Sequence, residues 1–322
     1  MSAKIGLIDV DSHKGFPNLA LMKLSAWHKS VGDTVEWYNI FEKYHKVYLS
    51  KIFSDTPDYG MVINNADEVV RGGTGYAIHG AGGEHYIKDD DKPLPEEIEH
   101  IYPDYDLYGI KDTAYGFLTR GCPRGCAFCI VGKKEGLCSR KVANLSEFWR
   151  GQRNIVLCDP NILACREWKE CFSQLEESKA YIDLNQGLDA RMLTEEKCLA
   201  IERLKIREIH FAWDRYEDKN VVLPKLRLFS EVCSKKPKMH NAIVYVLVNH
   251  GSTLEQDLER IYTLRDLGFW AYVMVYDKPH ASQTIRDLQR WCNNRFVFGS
   301  CPRFEDYGKV RLTDDSRQLE LF

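Results

Sequence analysis

No stretch of this chain reaches the roughly 18 consecutive apolar residues that a membrane-spanning helix requires. That excludes a helical membrane protein. There is no internal repeat and no low-complexity tract, which removes repeat architectures from consideration. Basic charge is not in surplus: 44 Lys and Arg stand against 47 Asp and Glu, a formal net charge of -3, so no general attraction to phosphate backbones is expected. Lys133-Lys134 and Lys235-Lys236 with Lys238 are local basic clusters, read either as solvated surface or as a nucleic-acid contact. The opening Met-Ser-Ala-Lys-Ile-Gly-Leu-Ile-Asp lacks the apolar core and cleavage site of a secretion signal, and the expected location is the cytoplasm. A disulfide framework is also missing from the pattern, because the 11 cysteines are odd in number and scattered over 322 residues. Reduced thiols or metal ligation are expected instead.

What is present is an ordinary globular composition, 44% hydrophobic and 28% charged, long enough to bury a sizeable core. From about residue 113, short β-branched apolar runs alternate with amphipathic stretches, the grammar of βα units and a parallel sheet. Strands are expected at Tyr115–Thr119, Asn154–Cys158, Tyr181–Asn185, Glu208–Trp213, Asn241–Val248 and Trp270–Tyr276. Ser252 and Glu255 form a capping-box pattern at the start of a helix whose apolar face is Leu254, Leu258, Ile261 and Leu264, and Gly268 fits its left-handed end. About six such units predict an α/β fold with a partial (βα)6-type parallel barrel, whose functional loops follow the strands' C-terminal ends.

The N-terminal part precedes this as a small Rossmann-like βαβ start. Lys4–Asp9 is a strand, Pro17 suits a helix's first turn, Leu21, Leu24, Trp27 and Val31 make its apolar stripe, and Thr34–Tyr38 returns as a strand. Apolar Val47–Phe53 and the Glu68–Gly75 segment continue it. The charged, proline-punctuated Lys88–Pro95 stretch reads as an exposed connection. The expected organisation is therefore an N-terminal domain over 1–112, a barrel domain over 113–300 and a tail over 301–322.

The most informative segment is Thr119-Arg-Gly-Cys-Pro-Arg-Gly-Cys-Ala-Phe-Cys129, which sets Cys122, Cys126 and Cys129 at CxxxCxxC spacing on a Gly- and Pro-containing loop just after a strand. Three closely spaced thiolates can wrap one soft metal centre while leaving a coordination position open. This loop resembles the cluster loop of radical S-adenosylmethionine (SAM) enzymes. The wider wording is similar to the branch of that family with an N-terminal cobalamin-binding domain: Pro103-Asp-Tyr-Asp106, Cys158-Asp-Pro-Asn161, Asn185-Gln-Gly-Leu-Asp-Ala-Arg191 and Val69-Val-Arg-Gly-Gly73. The resemblance covers about four fifths of the chain. It implies a 4Fe-4S cluster on the three cysteines, SAM chelating the remaining iron, and one-electron cleavage of SAM to a 5′-deoxyadenosyl radical that abstracts hydrogen from a substrate. An electron donor such as flavodoxin or ferredoxin is the implied partner. Cobalamin belongs to that branch's N-terminal domain, which is short here, and a reduced appendage can persist without its ligand. Asp11-Ser-His-Lys-Gly15 is one residue too short for the branch's cobalamin-ligand pattern.

The resemblance further implies that Phe128 packs near the adenine and that Asp214 takes the place of an acidic fourth-strand residue. Gln186 and Arg191, just beyond a strand end, are candidates for the ribose and carboxylate of SAM or for substrate; the alternative for Arg191 is a surface ion pair. Asp159 and Asp214 each end a strand and have helix capping as the plainer reading. His250 next to Asn249 is either an adenine contact or a solvated loop residue. Cys138, Cys292 and Cys301 raise an auxiliary cluster, while Cys158, Cys165, Cys171, Cys198 and Cys233 read as small buried hydrophobes. Two other functions compete: a structural zinc protein using Cys122, Cys126, Cys129 and Cys138, and a nucleic-acid-modifying protein with salt-dependent binding.

Overall fold

The computed structural model describes residues 2–79, 85–233 and 241–307. Lys235, Lys236, Lys238 and the tail after Tyr307 lie outside them. The chain divides into two compact units, residues 1–185 and 186–322. The division falls inside the predicted 113–300 segment, and the expected boundary near residue 112 lies within the first unit.

The first unit opens with β1 (Lys4–Asp9), α1 (Leu19–Ser30), β2 (Thr34–Trp37), β3 (Tyr44–Ser50) and β4 (Ala66–Gly72). They form one parallel sheet of order β2-β1-β3-β4. β1 is central and its inner residues are buried on both faces, which explains its nearly continuous apolar run. Ile5 and Leu7 pack with Leu21 and Leu24 of α1 and with Ile98. Ile8 on the other face joins Tyr44, Val47 and Leu49. The helix starts two residues later than Pro17 in its first position would place it: Asn18 caps it by accepting from the Leu21 N–H at 3.2 Å, and its amide donates to Ser50 Oγ at 2.8 Å. Capping by a side-chain oxygen outweighs proline's preference for the first turn.

The same unit continues with β5 (Thr113–Gly116), β6 (Thr119–Arg120), β7 (Arg140–Lys141), β8 (Asn154–Leu157), α2 (Trp168–Ser178) and β9 (Tyr181–Leu184). β5, β8 and β9 pair in parallel with β8 in the middle. The connecting segment ties the two sheets of this unit together. Tyr105 donates its hydroxyl to Phe148 O at 2.7 Å, Tyr108 donates to Asp9 Oδ2 at 2.7 Å, and the Phe16 and Tyr115 rings meet edge-on at 5.1 Å.

The second unit contains β10 (Leu188–Asp189), α3 (Glu195–Arg203), β11 (Ile209–Ala212), α4 (Lys219–Val232), β12 (Ala242–Val248), α5 (Leu254–Asp266), β13 (Trp270–Val275), α6 (Gln283–Asn293) and α7 (Arg295–Ser300). Its sheet is parallel throughout, in the order β10-β11-β12-β13. Phe211, Val244, Val246, Ala271 and Val273 are buried, each at 0% exposure, as are Ile261 and Leu264 of α5.

The predicted α/β class holds, and five of the six strands lie within one residue of their predicted bounds; the strand expected over Tyr115–Thr119 instead runs from Thr113 to Gly116, and Thr119 belongs to the short antiparallel β6. Among the described residues no sheet closes on itself. The strand expected over 181–185 stops at Leu184, Gly187 turns the chain with φ +82°, and β10 begins as a new short strand. The capping box of α5 is also displaced. Thr253 and Gln256 form it, because Ser252 Oγ donates to Asp257 Oδ1 at 2.6 Å instead.

Candidate metal centre

The cysteine loop leaves the C-terminal end of β5. At Gly116 an added Cβ would lie 2.4 Å from the Phe148 ring, so the strand end admits no side chain. The next residues are held by one carboxylate: Asp159 accepts from the Leu118 N–H at 3.0 Å, the Thr119 N–H at 2.5 Å and the Thr119 hydroxyl at 2.6 Å. Asp159 follows β8 and is buried. Burial pushes its carboxyl up to about 6, and the three bonds from Leu118 and Thr119 oppose that rise by stabilising the anion. The helix-capping reading of Asp159 does not describe this geometry: Asn161 takes the cap position of the turn that follows, and Asp159 roots the cysteine loop.

β6 and β7 pair antiparallel through Thr119↔Lys141 and Arg120↔Arg140, closing the loop at its neck. Gly121 has φ +87°, and a Cβ there would come within 2.2 Å of Cys138 O. Both the backbone conformation and the close approach of the returning strand require glycine. Cys122 N–H donates to Gly136 O at 3.2 Å, and Cys129 N–H donates to Cys126 O at 3.0 Å in a tight turn. A one-turn helix, Val131–Lys134, follows. Of the basic pair beyond the turn, Lys134 bonds Thr74 Oγ1 and pairs with Asp91 at 3.3 Å, so its charge serves the fold.

Cys122, Cys126 and Cys129 are half-buried thiols, and none of the eleven cysteines is in a disulfide. The buried Asn161 donates its side-chain amide to Cys122 Sγ at 3.4 Å, while its backbone carbonyl accepts from Ser139 Oγ at 2.8 Å. Phe128 is half-buried on the same turn. Cys138 is exposed, with its sulfur 3.7 Å from Ser139 O. Among the described residues, no three His, Cys, Asp or Glu side chains stand close enough to hold a metal ion. The donor set fits an iron–sulfur cluster in its chemistry, since three reduced, accessible thiols occupy eight residues of one anchored loop. Their gathering around one centre is not a feature of this conformation.

The other cysteines serve the core. Cys165, Cys171, Cys198, Cys233, Cys292 and Cys301 are buried. Burial pushes the thiols of Cys158 and Cys171 up to about 12. Cys292 Sγ lies 3.0 Å from Ala271 O and Cys301 Sγ lies 3.3 Å from Arg303 O.

At the N-terminal sheet, Asp11 is buried and accepts from Ile52 N–H and Thr56 Oγ1, both at 2.5 Å, while His13 is exposed on a 3-10 turn. That aspartate is thereby engaged by the segment that follows β3.

In the second unit, Gln186 is exposed. Arg191 bridges two carboxylates, Asp189 at 2.7 Å and Asp218 at 2.8 Å. Asp214 follows β11; burial raises its carboxyl to about 6, against the pull of Arg191 and Arg260. Asn249 adopts φ +63° and donates to Tyr276 O at 2.8 Å, and the His250 ring meets Tyr276 edge-on at 4.7 Å. The pattern of the sequence missed Arg260, which is fully buried on α5. Its guanidinium donates to Trp213 O at 2.8 Å, Asp214 O at 2.9 Å, Leu247 O at 2.7 Å and Asp257 Oδ1 at 2.6 Å. The available signal was two opposite charges at i, i+3 on the same stripe as Ile261 and Leu264.

No family model matches the chain, and no curated protein matches it.

Proposed function

We propose that the protein is a radical SAM enzyme that binds a 4Fe-4S cluster on Cys122, Cys126 and Cys129. The observation that carries this reading is the placement of the three reduced thiols on one loop, rooted by Asp159 at the C-terminal end of the first strand of a parallel βα series. Function on parallel βα architectures concentrates in loops at that end of the strands. The reading takes the parallel strands from β5 onward as those of a partial (βα)6-type barrel and the segment 1–112 as its Rossmann-like N-terminal domain.

When bound, the cluster supplies the electron that cleaves SAM. The chain's residues do the rest. Asp159 and Gly121 fix where the loop leaves the sheet, and Asn161 donates toward the sulfur of Cys122 and so orients that side chain. Phe128 offers an aromatic face for adenine. Gln186, Arg191 and Asp214 are assigned to polar groups of SAM or substrate, with Arg191 oriented by Asp189 and Asp218. Flavodoxin or ferredoxin is the proposed electron donor.

The test is anaerobic reconstitution with iron and sulfide, reduction in the presence of SAM, and measurement of 5′-deoxyadenosine. Wild type is expected to produce it, and Cys126→Ala is expected to lose it. A fully loaded wild-type cluster that produces none would overturn the reading.

A further inference from the structure

Within the first unit a chain of charged groups runs from α1 to the cysteine loop. Lys23 on α1 donates to Glu99 O at 2.5 Å and to Glu99 Oε1 at 3.0 Å. The same carboxylate oxygen accepts from Arg120 Nη2 at 3.2 Å. Arg120 Nη1 donates to Glu135 Oε1 at 3.0 Å, and the second oxygen of Glu135 accepts from the Gly121 N–H at 2.9 Å. The Arg120 guanidinium lies over the Phe117 ring, 3.9 Å from its centroid. Arg120 and Gly121 immediately precede Cys122.

The side chains of Lys23 and Glu135 are each only 11% exposed, and those of Arg120 and Glu99 are 25% and 32% exposed. Burial lowers the Lys23 ammonium despite its carboxylate partner. At Glu99 burial acts upward, but Lys23 and Arg120 together outweigh it and hold the carboxyl below its ordinary range. Glu99 is therefore an anion facing two cations that have little water to replace it. It lies 23 residues before the first loop cysteine, in the connection between the two sheets.

We propose that Glu99 is a positioning residue for the cysteine loop: by orienting Arg120, and through it Glu135 and the Gly121 amide, it couples the helix of the N-terminal sheet to the thiols. The roles of the thiols rest on the function proposed above, but the coupling itself is a property of the chain. A planar guanidinium divided between two carboxylates and stacked on a ring has one orientation. Without Glu99, Arg120 keeps Glu135 and loses the restraint that fixes the second half of its fork.

The experiment measures iodoacetamide alkylation of the metal-free full-length chain, mapped by peptide. Exposed Cys138 reports reagent reactivity, and buried Cys292 reports global opening. Glu99→Gln is expected to speed alkylation of Cys122, Cys126 and Cys129 about fivefold, a size appropriate to local opening, with Cys138 and Cys292 unchanged. The double variant Lys23→Met with Glu99→Gln removes the ammonium that would otherwise be left buried; it is expected to recover thermal stability while keeping the faster alkylation. Unchanged loop cysteines in Glu99→Gln would overturn the proposal. So would faster alkylation of Cys292, or a return to wild-type rates in the double variant, which would mark Glu99 as only a neutraliser of Lys23. Iron retention after reconstitution is read in parallel. If wild type takes up no iron, the cluster reading fails while the alkylation rates still decide the role of Glu99.

Discussion

The cysteine loop of the first unit and the Arg260 centre of the second solve the same problem in opposite ways. Both secure backbone just past the C-terminal ends of parallel strands. At Arg260 the charge is completely enclosed, and one guanidinium binds three carbonyls and a carboxylate across the ends of β11 and β12. Around the cysteines the anchoring groups, Asp159, Glu135 and Arg120, hold the loop's root, with Arg120 also reaching Glu99, and the thiols remain half-buried. The first arrangement gives stability at the expense of accessibility. The second leaves the thiols available, as the proposed cluster site requires.

The largest effect should come from breaking the enclosed centre. Asp257→Ala leaves the Arg260 charge without its carboxylate at 0% side-chain exposure and is expected to cost about 3–5 kcal/mol in urea unfolding. A loss below about 1 kcal/mol would mean that Asp257 does not balance Arg260.

Next is the pH dependence of Asp159. Its carboxyl is raised in the folded state from 3.8 to about 6, so the folded protein holds this proton more tightly than the unfolded chain. The resulting stability is fully present below about pH 4 and is lost as pH rises to about 6, by on the order of 3 kcal/mol. Compared with wild type, Asp159→Asn should therefore gain relative stability as pH rises across that interval. Parallel stability–pH curves for the two proteins would refute the raised carboxyl.

The smallest global effect is expected at the loop itself. Gly121→Ala meets both a left-handed backbone and the Cys138 carbonyl, a strain of about 1–3 kcal/mol that the loop can relieve by shifting. Hydrogen exchange should speed up in residues 121–139 and stay unchanged in β12. If β12 also loses protection, the loop is more deeply integrated into the fold than the comparison with Arg260 implies.

Several features were legible in the sequence because they depend on local pattern. β-branched runs located five of the six strands of the βα series to within one residue, and the apolar period located α1 and α5. The CxxxCxxC spacing marked the loop without an alignment. The burial of most remaining cysteines followed from their positions inside strands and helices. Other readings failed where two nearby side chains compete for one role. Thr253 rather than Ser252 caps α5 because Asp257 and Arg260 engage Ser252, and no local rule weighs that competition.

By itself, the sequence determined the α/β class, the strand positions and the identity of the thiol loop, since periodicity and spacing act within a few residues. The tertiary structure alone decided that Asp159 roots that loop from 40 residues away, that Glu99 reaches Arg120 from 21 residues before it, and that Arg260 closes two strand ends. Each is a hydrogen-bonded charge whose partners are backbone amides, carbonyls or distant side chains. Those groups are present at every position of the chain, and only folding selects which of them meet.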